Sequence, residues 1–157
     1  MKQFLLDTNI FLFYVRNELK LIDYIDKNFQ PLTSPNRAFL SVVSEGELKA
    51  FALKNHWGSK KKQLLEELLK EVIIVDISDA RVIDRYAEID AYSQGKLENN
   101  PMPDLTSRNM GKNDLWIAAT ASVYSLILLT SDNDFPHLHP KFLELAYVDI
   151  KLIKAQL

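Results

Sequence analysis

Five acidic side chains in this sequence have the spacing and surroundings of a shared cation site. Asp7 ends an apolar run in KQFLLDTNIFLFYV, and Asp132 and Asp134 follow another apolar run in LLTSDNDF. Glu47, with Glu45 as an alternative, lies in SEGELKAFA, and Asp114 lies in GKNDLWIAATA. Carboxylates that meet at one place repel each other unless a cation joins them. Oxygen ligands, in a chain with no cysteine and three histidines, suit Mg²⁺ or Mn²⁺ rather than zinc or copper.

Each acid also has an ordinary structural explanation. Asp7, followed by Thr and Asn, has the sequence of a helix cap. Ser44 and Glu47 have the spacing of a capping box, and Asp114 could complement the positive end of a helix. The two acids of SDND could be turn residues. We favour the shared site because every one of these acids lies at the same end of its predicted element.

Alternating strands and helices explain why these acids should meet. We predict strands at residues 3–7, 38–43, 71–77 and 127–130, with a fifth within 146–150. We predict helices at 9–16, 20–28, 59–70 and 113–124, one that begins at Ser44, one from Ser78 to Gly95, and a loop at 96–112. This alternation predicts an α/β fold whose mainly parallel sheet of about five strands is covered on both faces. Ligands of such folds bind beyond the carboxyl ends of the strands.

Length and composition limit the possible classes of protein. The 157 residues fit a single domain, 1–157, with a core that needs no disulfide. A net charge of −2 argues against a DNA coat protein or a polybasic membrane binder. The absence of cysteine fits a reducing cytosol, and no apolar run is long enough to span a bilayer. We therefore expect a cytoplasmic protein with no membrane partner.

Four segments, taken together and in this order, resemble a known family. LLDTNIF, SVVSEGELKAFA, GKNDLWIAATA and LLTSDNDF are similar to the motifs of PIN-domain nucleases, above all the VapC-type toxins of type II toxin–antitoxin pairs. The resemblance implies a three-layer α/β/α sandwich, a homodimer, and a cognate antitoxin that lies over the active site. It also implies a Mg²⁺-dependent endoribonuclease that hydrolyses RNA phosphodiester bonds, leaving a 5′-phosphate and a 3′-OH.

The resemblance assigns the catalytic acids by position. They match Asp7, Glu47, Asp114 and Asp132, and the order Glu-Leu selects Glu47 over Glu45. Asp7, Asp114 and Asp132 are the expected metal ligands, directly or through water. Asp134 either assists them or shapes the loop.

Polar and basic neighbours of the acids could support the reaction. The side chains that could orient the carboxylates by hydrogen bonds, with capping and turn formation as the alternative, are those of Thr8, Asn9, Asn113 and Thr130. Arg108 and Lys112, which precede Asp114, are candidates to hold substrate phosphates; the lysine run at 60–62 is a weaker one. His137 and His139 are interpreted as loop residues rather than ligands.

Three other classes of protein remain possible. A phosphotransfer domain also has acids at strand ends, but the dehalogenase type has a second Asp where this chain has Asn9. An inactive PIN-like module that binds RNA or a protein would not need the complete acid set. A PIN-domain RNA-processing nuclease outside toxin systems would differ in lacking an adjacent antitoxin gene.

Overall fold

The computed structural model describes residues 1–102 and 107–156, and its strands form one sheet. The strands are β1 (Gln3–Leu6), β2 (Arg37–Ser41), β3 (Ile73–Val75), β4 (Ile127–Thr130) and β5 (Glu144–Tyr147). The helices are α1 (Thr8–Val15), α2 (Leu19–Asn28), α3 (Val42–Lys54), α4 (Ser59–Leu69), α5 (Ala80–Ser93), α6 (Lys112–Val123) and α7 (Ile150–Ala155). A 3₁₀ turn covers Pro136–Leu138. The strands lie in the order β3-β2-β1-β4-β5, and every pair is parallel.

The side chains of β1 alternate between two apolar cores. Phe4 and Leu6 are buried in one core, and Leu5 is buried in the other. Such a strand reads as a continuous apolar run because both of its faces are covered. The run FLL in the sequence therefore predicted correctly that this strand lies inside the sheet.

Helices cover both faces of the sheet. Helices α1 to α4 and α7 bury apolar residues in the core that contains Phe4 and Leu6. Helices α5 and α6 and the 3₁₀ turn bury theirs in the core that contains Leu5. The three-layer α/β/α sandwich and its five-stranded parallel sheet are confirmed.

Several element boundaries differ from the prediction. β3 is shorter than the predicted 71–77, and β5 begins two residues before 146. β3 is an outer strand that pairs only with β2, over three residues, so its flanking residues have no partner in the ladder. β5 begins at Glu144 because Glu144 pairs with Ile127, the first residue of β4. α7 was not predicted. It has only six residues and buries Ile153 alone, so it leaves no helical periodicity to detect.

The predicted start of α5 is wrong by one residue, whereas its predicted end is confirmed. Its N-cap is Asp79, whose side chain accepts a hydrogen bond from the amide of Arg81, so Ser78 was the wrong cap. Gly95 ends the helix as predicted, with a φ of 71° that favours glycine. The predicted loop at 96–112 partly lies outside the described residues, and α6 already begins at Lys112.

Within the two described ranges, none of the helices has the length and apolar character needed to cross a bilayer.

Candidate active site

Asp7 lies at the carboxyl end of the central strand. The β1–β4 register pairs Leu6 with Leu129 and so places Asp7 beside Thr130. The Thr130 hydroxyl donates to Asp7 Oδ2 at 2.7 Å, and the Thr8 amide donates to Oδ1 at 2.8 Å. Asp7 is therefore the N-cap of α1 and also a carboxylate that is only 4 % exposed. The capping explanation and the functional one both apply to this residue.

Thr130 connects Asp7 to the acids that follow β4. Its hydroxyl oxygen accepts a hydrogen bond from the Asp132 amide at 3.0 Å. Asp132 Oδ1 in turn accepts a hydrogen bond from the Asp134 amide at 3.0 Å. These two bonds fold the chain after β4 into a tight turn. Thr130 therefore joins Asp7 to the turn after β4, and its predicted role in orienting the carboxylates stays a prediction.

Glu47 reaches the site from α3. This helix follows β2 without a loop, and its N-cap is Ser41, whose side chain accepts a hydrogen bond from the Val43 amide. The predicted capping box of Ser44 with Glu47 is therefore wrong. Instead, the Thr8 hydroxyl lies 2.8 Å from Ser44 Oγ and donates to Glu47 Oε1 at 2.8 Å. Thr8 thus contacts Glu47 directly, and its role in orienting that carboxylate stays a prediction.

Asp114 enters from the opposite layer of helices. It lies in the first turn of α6, which Leu115 and Ile117 anchor in the core. Carboxylate oxygens of Asp114, Asp132 and Asp134 all lie within 4.8 Å of one another. Asp7 lies outside this triad but near enough for its charge to raise the pKa of Asp114. The acids predicted from the sequence converge, and Asp134, which the sequence left open, belongs with them.

The triad fits a small divalent cation. Two oxygens on one octahedral Mg²⁺ lie about 3 Å apart when adjacent and about 4.2 Å apart when opposite, so carboxylates whose oxygens lie within 4.8 Å of one another can close on the ion by side-chain rotation. The ligand set consists of oxygen atoms alone, as Mg²⁺ and Mn²⁺ prefer. The residues present therefore fit such an ion.

Burial and mutual repulsion make these carboxyls hold their protons. Burial, opposed in part by the hydrogen bonds from Thr130 and Thr8, raises the pKa of Asp7 to about 6. Burial, together with the charges of the other acids, raises the pKa of Asp114 to about 7. The pKa of Asp134 is raised by burial and by Asp132. Without a cation, the site therefore retains protons close to neutral pH.

Arg108, Lys112 and Asn113 lie around the loop before α6 and at the start of that helix, and their predicted roles stay predictions. Arg108 Nη1 donates to the backbone carbonyl of Asn133 at 3.1 Å, and the Arg108 charge opposes the rise in the pKa of Asp134. Lys112 is exposed at the start of α6. Asn113 is exposed as well, and within residues 1–102 and 107–156 no hydrogen bond joins it to the acids.

The turn that carries Asp132 and Asp134 has an anchor that the sequence analysis missed. Besides the bond from Arg108, Asn133 Oδ1 accepts a hydrogen bond from the Tyr147 hydroxyl at 2.7 Å. Tyr147 lies in β5, beside Thr130 in the register. No sequence motif marks this contact, because its partners lie 14 residues apart in different elements.

The histidines remain outside the acid site. His137 is buried in the 3₁₀ turn, with Nε2 2.7 Å from Ser93 Oγ, and burial followed by the charge of Arg108 lowers its pKa to about 4. His139 Nδ1 accepts a hydrogen bond from the Leu145 amide. The interpretation of His137 as a loop residue was wrong, since it packs against α5.

The fold and the site define an α/β sandwich whose acids, drawn from both helical layers, form a candidate divalent-cation centre at the carboxyl edge of a parallel sheet. The chain belongs to the PIN domain family, whose model matches residues 4–139. PIN domains are nucleases that typically depend on a divalent metal, so membership supports a hydrolase.

Solved structures share the fold. VapBC2 from Rickettsia felis, bound to a DNA fragment from its promoter, has a chain 22 % identical to this one, with a TM-score of 0.74. That alignment covers 92 % of this chain and 98 % of the other. VapBC-1 from nontypeable Haemophilus influenzae is 22 % identical with a TM-score of 0.68, covering 92 % and 97 %. VapBC-5 from Mycobacterium tuberculosis, of the VapBC family of toxin–antitoxin systems, is 23 % identical with a TM-score of 0.61, covering 94 % and 100 %.

No curated protein is significantly similar to this chain in sequence.

Proposed function

We propose that this protein is a Mg²⁺-dependent endoribonuclease and the toxin of a toxin–antitoxin pair. The observation that supports this most is the convergence of acids from four elements at one edge of the sheet. Three of them offer oxygens within 4.8 Å of one another, and the pKa values of two are raised to about 6 and about 7. A site that is costly to ionise when empty gains most from a cation.

The acids have different roles in the proposed site. Asp114, Asp132 and Asp134 would hold the cation, with Asp7 beside them as a direct or water-bridged ligand. Bound there, Mg²⁺ would polarise the phosphate and offset charge that develops on the oxygens of the scissile bond. Mn²⁺ is the expected substitute because it takes the same oxygen ligands.

Glu47 is suited to orient the attacking water. The Thr8 hydroxyl holds one of its carboxylate oxygens, so the side chain is fixed while the other oxygen can accept a proton. Water attacks phosphorus, the bond from phosphorus to the 3′-oxygen breaks, and the leaving oxygen takes a proton from solvent. The products carry a 5′-phosphate and a 3′-OH, and the 2′-OH takes no part.

Purified protein incubated with total RNA tests the reaction. We expect cleavage in Mg²⁺, its loss in EDTA, and its loss in Asp7→Asn and Asp114→Asn with the fold retained by circular dichroism. Glu45→Gln is the matched control, because Glu45 lies on the same helix as Glu47 but pairs with Lys49. Equal cleavage by the two Asn variants would mean that the acids do not form the active site.

The partners are part of the same proposal. The similar structures named above are toxin–antitoxin proteins, which supports a cognate antitoxin for this chain, and we propose a homodimer. Co-expression with the product of a short adjacent reading frame should give a stable complex that suppresses RNA cleavage. If no such partner exists, the protein is an RNA-processing nuclease instead.

A further inference from the structure

The acids of the proposed site and the phosphates of an RNA substrate are both negatively charged, so they repel each other. The chain has a net charge of −2, and the acids at the sheet edge repel a phosphate backbone. Arg108, the cation predicted to hold phosphate, is bound to the carbonyl of Asn133. Arg108 and the exposed Lys112 place two cations beside five acids, so further cations are needed to hold an RNA strand.

An exposed aromatic ring lies one helical turn beyond Glu47. Residues four apart on a helix share a face, so Phe51 follows Glu47 along α3. Phe51 is 36 % exposed, and the guanidinium carbon of Arg16 lies 5.4 Å from the centre of its ring. Arg16 is the C-cap of α1, the helix whose first residue, Thr8, contacts Glu47. Helices α1 and α3 thus run side by side from the acids to this arginine–aromatic pair.

Further cations lie at and beyond the end of α3, where the Trp57 amide donates to the carbonyl of Ala52 at 3.0 Å. Lys54 is exposed in the last turn of α3, about 10 Å along the helix axis from Glu47 at 1.5 Å per residue. The chain then turns to Trp57, and Lys61 in the first turn of α4 places Nζ 4.4 Å from the centre of the Trp57 ring. Among the described residues, Arg16, Lys54 and Lys61 form no ion pair with an acid.

We propose that these residues, Arg16, Phe51, Lys54 and Lys61, form a strip that binds single-stranded RNA and leads it to the acids. The inference deepens the proposed ribonuclease function and rests on it. Phe51 stacks on a base, while Arg16 and the two lysines hold phosphates. This combination of an aromatic platform with unpaired cations is how proteins track single strands. A protein partner fits less well, because lysine is depleted from protein interfaces.

Binding can be measured apart from cleavage. The background is Asp114→Asn, and the probe is a fluorescein-labelled, unstructured RNA 20-mer followed by anisotropy at several salt concentrations. Phe51→Leu keeps apolar volume and should weaken binding by at least about fivefold with the salt dependence unchanged. Lys54→Gln combined with Lys61→Gln should reduce the slope of log affinity against log salt by about 1.4, at about 0.7 per phosphate contact on a single strand. Lys151→Gln, an exposed lysine on α7, is the matched control and should change neither quantity.

Cleavage kinetics with Asp114 intact separate this inference from the proposed function. Arg16→Gln and Phe51→Leu should raise KM with kcat retained, because the strip holds RNA away from the scissile bond. If these variants have the affinity and KM of the wild type, the strip does not bind RNA, and a protein partner is the remaining occupant of this surface. If wild-type protein cleaves no RNA in Mg²⁺ while the strip variants still lose RNA affinity, the nuclease proposal fails and the binding strip stands.

Discussion

Replacing Asp7 by Asn should make the metal-free protein more stable while it abolishes cleavage. Burial raises the pKa of Asp7 from 3.8 to about 6. The difference is about 2 units, so ionising this carboxyl at pH 7.5 costs the folded protein about 3 kcal/mol at about 1.4 kcal/mol per unit. Asn carries no charge, but it offers one oxygen where Asp7 accepts two hydrogen bonds, which costs about 1 kcal/mol. The net gain is about 2 kcal/mol.

The pH dependence follows from the direction of the pKa shift. Because the folded pKa of Asp7 lies above the unfolded one, the folded state binds more protons between pH 4 and 6. The free energy of unfolding of the metal-free wild type therefore falls as pH rises from 4 to 6. The Asp7→Asn variant lacks this contribution, because Asn does not ionise. The advantage of the variant should be complete above pH 6 and absent at pH 4.

Thermal unfolding in EDTA is the assay. A gain of about 2 kcal/mol corresponds to a rise in Tm of about 4–8 °C for a chain of this size. Mg²⁺ should reduce the difference in Tm between the variant and the wild type, because the wild-type protein binds the ion more tightly and is stabilised more by it. Glu45→Gln, which removes an acid outside the cluster, should leave Tm nearly unchanged. If Asp7→Asn has the same or a lower Tm than wild type in EDTA at pH 7.5, the buried Asp7 carboxylate does not destabilise the metal-free protein.

Three other outcomes can be measured on the same protein. Cation affinity should rise with pH, because protons on Asp7 and Asp114, with pKa values of about 6 and about 7, must leave before the ion binds; calorimetry with Mn²⁺ should give at least about tenfold tighter binding at pH 7.5 than at pH 5.5. Equal affinities would exclude the shared site. Tyr147→Phe and Arg108→Lys each loosen the turn after β4 and should weaken Mn²⁺ binding about fivefold, the equivalent of one hydrogen bond, whereas unchanged affinity would mean that the turn holds its shape without them. Ser41→Ala removes the cap of α3 and should lower the free energy of unfolding in urea by about 1 kcal/mol; no loss would show that packing alone sets the start of that helix.

The convergence of the acids could be predicted because it follows from topology. A parallel sheet brings the carboxyl ends of all its strands to one edge. Once the two strands were identified correctly, the proximity of Asp7 and Asp132 followed. The apolar runs FLL and ILLT identified those strands without any tertiary information. Asp114 followed in the same way, from the first turn of a helix that leads into β4.

The contacts that shape the site could not be predicted, because their partners are distant in sequence. Thr8 and Glu47 meet only after β1 and β2 have paired, and their bond replaces the local capping box that the spacing of Ser44 suggested. The bond from Arg108 to the carbonyl of Asn133 could not be predicted, because the two residues lie 25 positions apart. Local patterns fix the elements, whereas side-chain partners depend on how those elements pack.

β1 is the first strand along the chain but lies at the centre of the sheet. A nascent polypeptide that has left the ribosome only as far as α5 contains β1 and β2, but lacks β4, which covers the other edge of β1, and also Asp114 and Asp132. Such a fragment has neither a closed core nor a place for the ion. A chain cut between α5 and α6 therefore keeps Asp7 and Glu47 but cannot assemble the carboxylate triad of Asp114, Asp132 and Asp134.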